Sequence, residues 1–285
     1  MIQILNKLIQ QLMSVTNDEQ QAIFEGWLLL EKVTGKKRVV LLADNHQLTE
    51  DQQRQLDTCV ADRVEKNKPL AYILGNVPFA NLTLIVRPPI LIPRPETEEM
   101  VLWIIEQFKD IAHEPLCVLD ACTGSGCIAL ALAAAFPAWQ IVGIDISTEA
   151  LALAQENRQA LGLHNASFHQ QSIFEDGPWL QPYDLIVSNP PYISKKSRYL
   201  VGADVLGWED ERALFADQEG WAFYERLVQL AKRIVGRSSS KKPNLVIEFG
   251  VDQQNMEQFL LDRGSVSVEI CCDGAGRRRW AWARI

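Results

Sequence analysis

Four consecutive residues, Asn189-Pro190-Pro191-Tyr192, could do chemistry on a flat nitrogen. Two prolines after an asparagine force an extended, rigid backbone, because each ring fixes its own φ and restricts the residue before it. The Pro190 carbonyl and the Asn189 side-chain oxygen can then converge on one planar NH₂ group and accept both of its hydrogens, while Tyr192 lies flat on the substrate. An amide or exocyclic amine is a poor nucleophile, since its lone pair is delocalised. Two acceptors on its hydrogens would stabilise the positive charge that develops on nitrogen as it attacks. The plain alternative is a turn with no chemistry, but the tetrapeptide is rare by chance.

A second constellation lies upstream. Asp120-Ala121-Cys122-Thr123-Gly124-Ser125-Gly126 ends a strand-like run, and its glycines allow close approach of backbone to a ligand. Asp145 closes Gly143-Ile144-Asp145 about 20 residues past that loop, where a carboxylate can accept hydrogen bonds from ribose hydroxyls. The pair points to a nucleoside cofactor. A dinucleotide fingerprint is missing, because Gly126 is followed by Cys127, Ile128 and Ala129. There is no G-x-x-x-x-G-K-S/T loop for a nucleoside triphosphate either. The loop instead resembles that of S-adenosylmethionine-dependent methyltransferases, with Asp120 before it and Asp145 after it. The methionine end and ribose would sit over Cys122, Thr123, Gly124, Ser125 and Gly126. A nitrogen held in line with the sulfonium methyl gains the proximity term, and its proton can leave afterwards.

The elements that must position these residues alternate strand and helix. Apolar strand runs are expected at residues 116–120, 140–145, 167–169, 183–188 and 244–249, with two more strands at the end. Helices are expected at 125–136, at 147–161 with Ser147 or Thr148 as cap, at 221–235 and at 253–262. Repeated β-α-β with continuous apolar strands means a mostly parallel sheet covered by helices on both faces, with its crevice at the strands' carboxyl ends. Before it, Leu5, Leu8, Ile9 and Leu12 share one helical face. Phe24, Trp27, Leu28, Leu30 and Val33 suggest a second helix, and Thr49 caps a third that carries Leu56, Val60 and Val64. Residues 80–86 have β propensity and are punctuated by Pro78, Pro88, Pro89, Pro93 and Pro95. The expected division is a helical domain at 1–75, a β-hairpin or extended connector at 76–96 and an α/β domain at 97–285.

Composition narrows the class. With 285 residues, 47% hydrophobic and 22% charged, the chain can bury a full core. A formal net charge of -8 argues against holding duplex DNA by phosphate neutralisation. No apolar run approaches the ~20 residues of a membrane span. The six cysteines form no C-x-x-C pair and histidines are few, so no metal is expected. The start at Met1 lacks a charged-then-apolar or Arg-rich leader, which favours a cytoplasmic protein with free thiols, or an organellar-matrix one after presequence removal. The one low-complexity stretch is at 238–242.

The motifs together resemble the HemK/PrmC-type protein-(glutamine-N5) methyltransferases of peptide-chain release factors. Besides Asn189–Tyr192, the resemblance rests on Pro69-Leu70-Ala71-Tyr72-Ile73-Leu74-Gly75 and on Leu91-Ile92-Pro93-Arg94-Pro95-Glu96-Thr97-Glu98. Val205, Glu209, Ala213 and Leu214 also fit, as do Asp273-Gly274 and Arg277-Arg278. It implies a class I, Rossmann-like methyltransferase sheet, S-adenosylmethionine as donor and the glutamine of a Gly-Gly-Gln loop as acceptor. It implies a release factor as partner, gripped with help from the helical domain; from charge and composition no stable nucleic-acid or membrane binding is expected, and the enzyme is expected to be a monomer. Asn189 and Pro190 would hold the glutamine amide, Tyr192 would pack on it and Pro191 would stiffen the grip. Arg94 would orient substrate backbone or Glu98.

The chain departs from the pattern in three places. Cys122 stands where a glycine is usual, and Ser172-Ile173 where the family often has Asp-Trp beside the adenine. Asp210 stands where a proline is usual. Adenine would thus be held by apolar packing from Ile173 and Phe174 with a polar contact from Ser172. The rival readings are a ribosomal-protein glutamine methyltransferase, an adenine-N6 nucleic-acid methyltransferase, whose target amine has the same geometry, and a non-catalytic scaffold of the same fold. Arg277 to Arg279 would bind RNA or an acidic partner, or form a solvated hairpin edge.

Overall fold

The computed structural model describes residues 1–43, 47–177, 179–235 and 242–285; most of the low-complexity stretch at 238–242 lies outside them. Two compact units are present, Met1–Asn76 with Gly202–Trp208, and Val77–Val201 with Glu209–Ile285.

The first unit contains helices α1 (Ile2–Thr16), α2 (Glu19–Thr34), α3 (Arg38–Ala43), α4 (Glu50–Val64) and α5 (Leu70–Leu74). The expected α1 face is realised, with Leu5, Leu8 and Leu12 buried. On α2 the buried stripe is Ala22, Gly26, Leu29, Leu30 and Val33, with Trp27 and Glu25 beside it, and Phe24 is exposed. Phe24 therefore belongs to the outer face, because the 3.6-residue stripe that meets α1 passes through Gly26 instead. A Cβ on Gly26 would come 3.1 Å from Leu5, so the glycine lets the helices close. Buried Glu25 is held by Arg63 of α4 at 2.8 Å, and Thr49 caps α4 in a reciprocal box with Gln52.

Next come two paired strands, β1 (Asn76–Phe79), all but its first residue in the second unit, and β2 (Leu82–Ile85). They are joined through Ala80 and Asn81, both at positive φ, which suits a tight hairpin turn. Helix α6 (Pro95–Phe108) begins with proline in its first turn. Then come β3 (Cys117–Ala121), α7 (Cys127–Ala135), β4 (Gln140–Asp145), α8 (Thr148–Ala160), β5 (Ala166–Gln170), β6 (Leu185–Ser188) and the short β7 (Ile193–Ser194). Helix α9 (Ala203–Trp208) falls within the first unit. The second unit resumes with β8 (Phe215–Ala216), α10 (Ala222–Ile234), β9 (Leu245–Glu248), α11 (Met256–Asp262), β10 (Ser267–Cys272) and β11 (Arg278–Arg284). Ser147 proves to be the α8 cap, accepting from the Ala150 N–H.

The main sheet has the order β10-β11-β9-β6-β3-β4-β5. From β9 to β5 its strands are parallel, and β11 and β10 extend it antiparallel. Its central strands Leu119, Ile186 and Leu245 are fully buried. One face packs α6 and α7 through Met100, Ile104, Phe108, Leu130 and Leu132. The other packs α10 and α11 through Tyr224, Leu227, Met256 and Leu260. Burying each such side chain is worth roughly 1.5–3 kcal/mol. The chain runs outward from β3 to β5 and then returns to β6 on the other side of β3. The switch point between β3 and β6 opens a crevice at their carboxyl ends, where the loop after β3 and Asn189 after β6 both emerge.

Candidate active site

A cavity at this switch point is lined by Cys122 and Gly124 after β3, by Asp145 ending β4, by Ser172, Ile173 and Phe174 after β5, and by Asn189 and Pro191 after β6. Seven of the expected site residues and Phe174 thus share one wall system. Asp120, Thr123, Ser125, Gly126, Pro190, Tyr192 and Arg94 are not part of that lining.

Asp120 is fully buried beneath the loop. Its Oδ2 accepts from the Thr123 hydroxyl at 2.6 Å and from the Ala129 N–H at 3.1 Å. Its Oδ1 has no hydrogen-bond partner among the described residues. Burial pushes this carboxyl up to about 7, against the pull of those two donors. Asp120 is therefore the peg that holds the loop and the start of α7.

Asp145 sits in the cavity wall and accepts from backbone donors. Oδ2 accepts from Gly124 and Oδ1 from Ser147, both at 2.9 Å. A carboxylate offers about four acceptor positions, and with the Ile146 N–H also directed at it at least one is left for a ribose hydroxyl. Burial raises its pKa, and the Ser147 and Gly124 N–H groups oppose that rise. Gly124 has φ 54 and open space where a Cβ would stand, so ligand atoms can lie on its backbone. Carbon from Ile144, Ile173, Phe174 and Phe223, with Ile90 and Leu91, supplies an apolar part of the wall. A carboxylate with acceptor capacity to spare beside an apolar slot could hold the adenosine of S-adenosylmethionine.

Cys122 adopts φ 64, the left-handed region in which glycine is at ease. That explains the glycine usual at this place and assigns the substitution a local strain of about 1–2 kcal/mol. Burial pushes its thiol well above the ordinary value, reinforced by the Asp145 and Asp120 carboxylates, so Cys122 stays a neutral wall residue. Asp210 also lies at the cavity, in a paired contact with Arg212, whose Nη2 is 2.6 Å from Oδ2.

Asn189 is held from behind. Its Nδ2 donates to Thr97 Oγ1 at 2.9 Å, and the Thr97 hydroxyl donates to Glu248 Oε2 at 2.6 Å. Thr97 and Glu248 are 2% and 1% exposed. Burial pushes the Glu248 carboxyl up to about 7; Glu96 raises it too, while Thr97, Arg279 and Tyr192 pull it back. The Tyr192 hydroxyl lies 3.5 Å from Glu248 Oε1, and burial raises its pKa further. The Tyr192 carbonyl accepts from Gln253 Nε2 at 3.3 Å, and Gln253 Oε1 accepts from the Gly250 N–H.

Arg94 donates to Glu209 Oε2 at 2.5 Å, whereas Glu98 accepts from the Ala80 N–H. The expected contact with Glu98 is thus replaced by a buried partner across the unit. Arg277 and Arg279 both bond Asp273 and approach Glu96, and Arg278 reaches the Gln254 carbonyl. The basic run is engaged within the chain. Thr97 stood in the sequence only as a member of the motif at residues 91–98, with no role of its own, and Glu248, Gln253 and Arg212 were not singled out. Glu248 did leave a signal, as a lone acid closing the apolar run Leu245-Val246-Ile247. Among the described residues there is no His/Cys/Asp/Glu group that could hold a metal and no helix long and apolar enough to cross a membrane.

Comparison with known proteins adds a further line of support. Residues 3–75 match the family model described as the PrmC N-terminal domain, and residues 112–269 match one described as a methyltransferase domain. A release factor glutamine methyltransferase of Enterococcus faecalis is 35% identical over 264 residues, covering 90% of this chain and 90% of that protein. One from Aliivibrio fischeri is 31% identical over 277 residues, covering 97% and 94%. Among solved structures, the hMettl16 catalytic domain in complex with the MAT2A 3′UTR hairpin 6 covers 86% of this chain and 91% of its own. Its TM-score is 0.54 at 16% identity, a likeness of fold alone.

Proposed function

The chain belongs to the release factor glutamine methyltransferases, and from that premise we propose how its residues share the work. The enzyme uses S-adenosylmethionine, which supplies an electrophilic methyl group on sulfur, to methylate the side-chain nitrogen of a release-factor glutamine. Asp145 would anchor the ribose with its remaining acceptor capacity, and Gly124 would let the cofactor lie close to the loop. Ile173 and Phe174 would flank the adenine, with Ser172 beside them. Asp120, Thr123, Ser125 and Gly126 would act from beneath, keeping the loop in shape.

Asn189 Oδ1 and the Pro190 carbonyl would accept the two hydrogens of the glutamine amide. As the nitrogen gains the methyl, it gains positive charge, and acceptors already in place stabilise that charge more than the neutral amide. The proton is lost after transfer, so no strong base has to reach it first. Pro191 would keep the pair of acceptors rigid, and Tyr192 would pack on the flat amide. Arg94 would act through Glu209 at the edge of the site, with the helical unit at residues 1–75 helping to grip the factor. The glutamine of a Gly-Gly-Gln loop is the acceptor that the family resemblance implies.

The observation that carries this reading is the placing of Asn189: it lines the cofactor cavity while its own nitrogen is occupied by Thr97. The test is transfer of labelled methyl from S-adenosylmethionine to a purified release factor, to its loop Gln→Ala variant and to adenine-containing DNA. Label on the unaltered factor alone is expected. Label on DNA and none on the factor would replace the amide with an adenine amine.

A further inference from the structure

We propose that Thr97 and Glu248 are positioning residues that decide which way round the Asn189 amide faces its substrate. This rests on the reading of Asn189 as acceptor for the glutamine amide, and adds two buried residues that do not line the cavity.

A side-chain amide is nearly symmetric in shape, so packing alone cannot tell its oxygen from its nitrogen. Only hydrogen bonds can, and here they run in one direction. A hydroxyl has a single hydrogen. Thr97 gives that hydrogen to Glu248 Oε2 at 2.6 Å and is left able only to accept, which it does from Asn189 Nδ2 at 2.9 Å. Asn189 Oδ1 is thereby turned away from Thr97. A flipped amide would put Oδ1 against Thr97 Oγ1. The hydroxyl would then have to abandon Glu248, and the buried carboxylate would lose a donor, which is costly where water cannot replace it.

Three separate elements meet to make this chain of bonds. Thr97 comes from the first turn of α6, Glu248 ends β9, and Asn189 follows β6, the strand paired with β9. The same carboxylate faces the Tyr192 hydroxyl through its other oxygen. One buried acid therefore sets the bearing of both side chains that flank the proposed amide.

The test uses the full chain with an intact release factor and saturating cofactor. Thr97→Val keeps the shape and removes the hydroxyl, and Thr97→Ala serves if Val is not accommodated. The expected result is a kcat at least 10-fold lower, with KM for the factor and cofactor-product affinity within about 2-fold of wild type. Thr97→Ser should restore most of the loss. In an Asn189→Ala background, Thr97→Val should cost nothing further, because Thr97 acts only through Asn189. A wild-type kcat in Thr97→Val, no recovery in Thr97→Ser, or losses that multiply in the double variant would overturn the relay. A wild-type enzyme that leaves the factor unlabelled would instead overturn the functional reading, and the relay with it.

Discussion

Glu248 shows what one residue can be asked to do. Burial lifts its carboxyl to about 7, and the groups around it arrive from every side. Glu96 and Thr97 come from α6, Arg279 from β11, Tyr192 from the loop after β6, and Cys127 and Tyr224 from α7 and α10. Ionised, it can only accept, and the Thr97 hydrogen is committed to it. Protonated, it can donate to Thr97, whose own hydrogen is then free to swing to Asn189, and either orientation of the amide is satisfied. The sign follows: the directed relay is present above pH about 7 and lost as pH falls below it. Single-turnover methylation at saturating cofactor should therefore drop by up to about 2-fold between pH 8 and pH 6, as the two orientations approach equal population. A flat profile over that range would separate Glu248 from the reaction. The places of Asn189 and Asp145 on the cavity wall were legible in the sequence because their signals are local, a kink or a carboxylate at a fixed place after a strand. Thr97 and Glu248 were not, because they matter only through partners 92 and 151 residues away.

At the scale of elements, the rigid segment after β6 depends on what packs over it. A Cβ on Gly220 would come within 2.2 Å of the Tyr192 carbonyl, and Gly220 itself lies at φ +92. Gly220→Ala thus meets both a backbone clash and an unfavourable φ. It should destabilise the fold by about 2 kcal/mol or more and lower turnover by displacing Tyr192. Thermal denaturation and kcat measured together would check this, and unchanged values of both would mean that the segment yields freely. The strands and long helices were readable from apolar runs and caps such as Thr49 and Ser147. The short helices α3, α5 and α9 were not, because five or six residues carry too little periodicity to stand out. Phe24 misled for a related reason, since an apolar residue beside the buried stripe reads like part of it.

For the molecule as a whole, topology brings the two segments of the proposed site together. The loop after β3 and the segment after β6 are far apart in sequence, yet β3 and β6 are hydrogen-bonded neighbours. Their carboxyl ends share one crevice because the chain reverses direction across the sheet between them. The alternation of strand and helix made this architecture legible, and continuous apolar strands made the sheet parallel. The antiparallel addition of β11 and β10 was beyond periodicity, because strand direction is a property of pairing. The central claim is that Asn189 accepts from the substrate amide in the transition state. It is tested most directly by the single-turnover rate of Asn189→Ala on an intact release factor at saturating cofactor. A fall of about 10²-fold or more, with cofactor affinity and thermal stability near wild type, is expected for loss of one oriented acceptor. A rate equal to that of the wild type would contradict it.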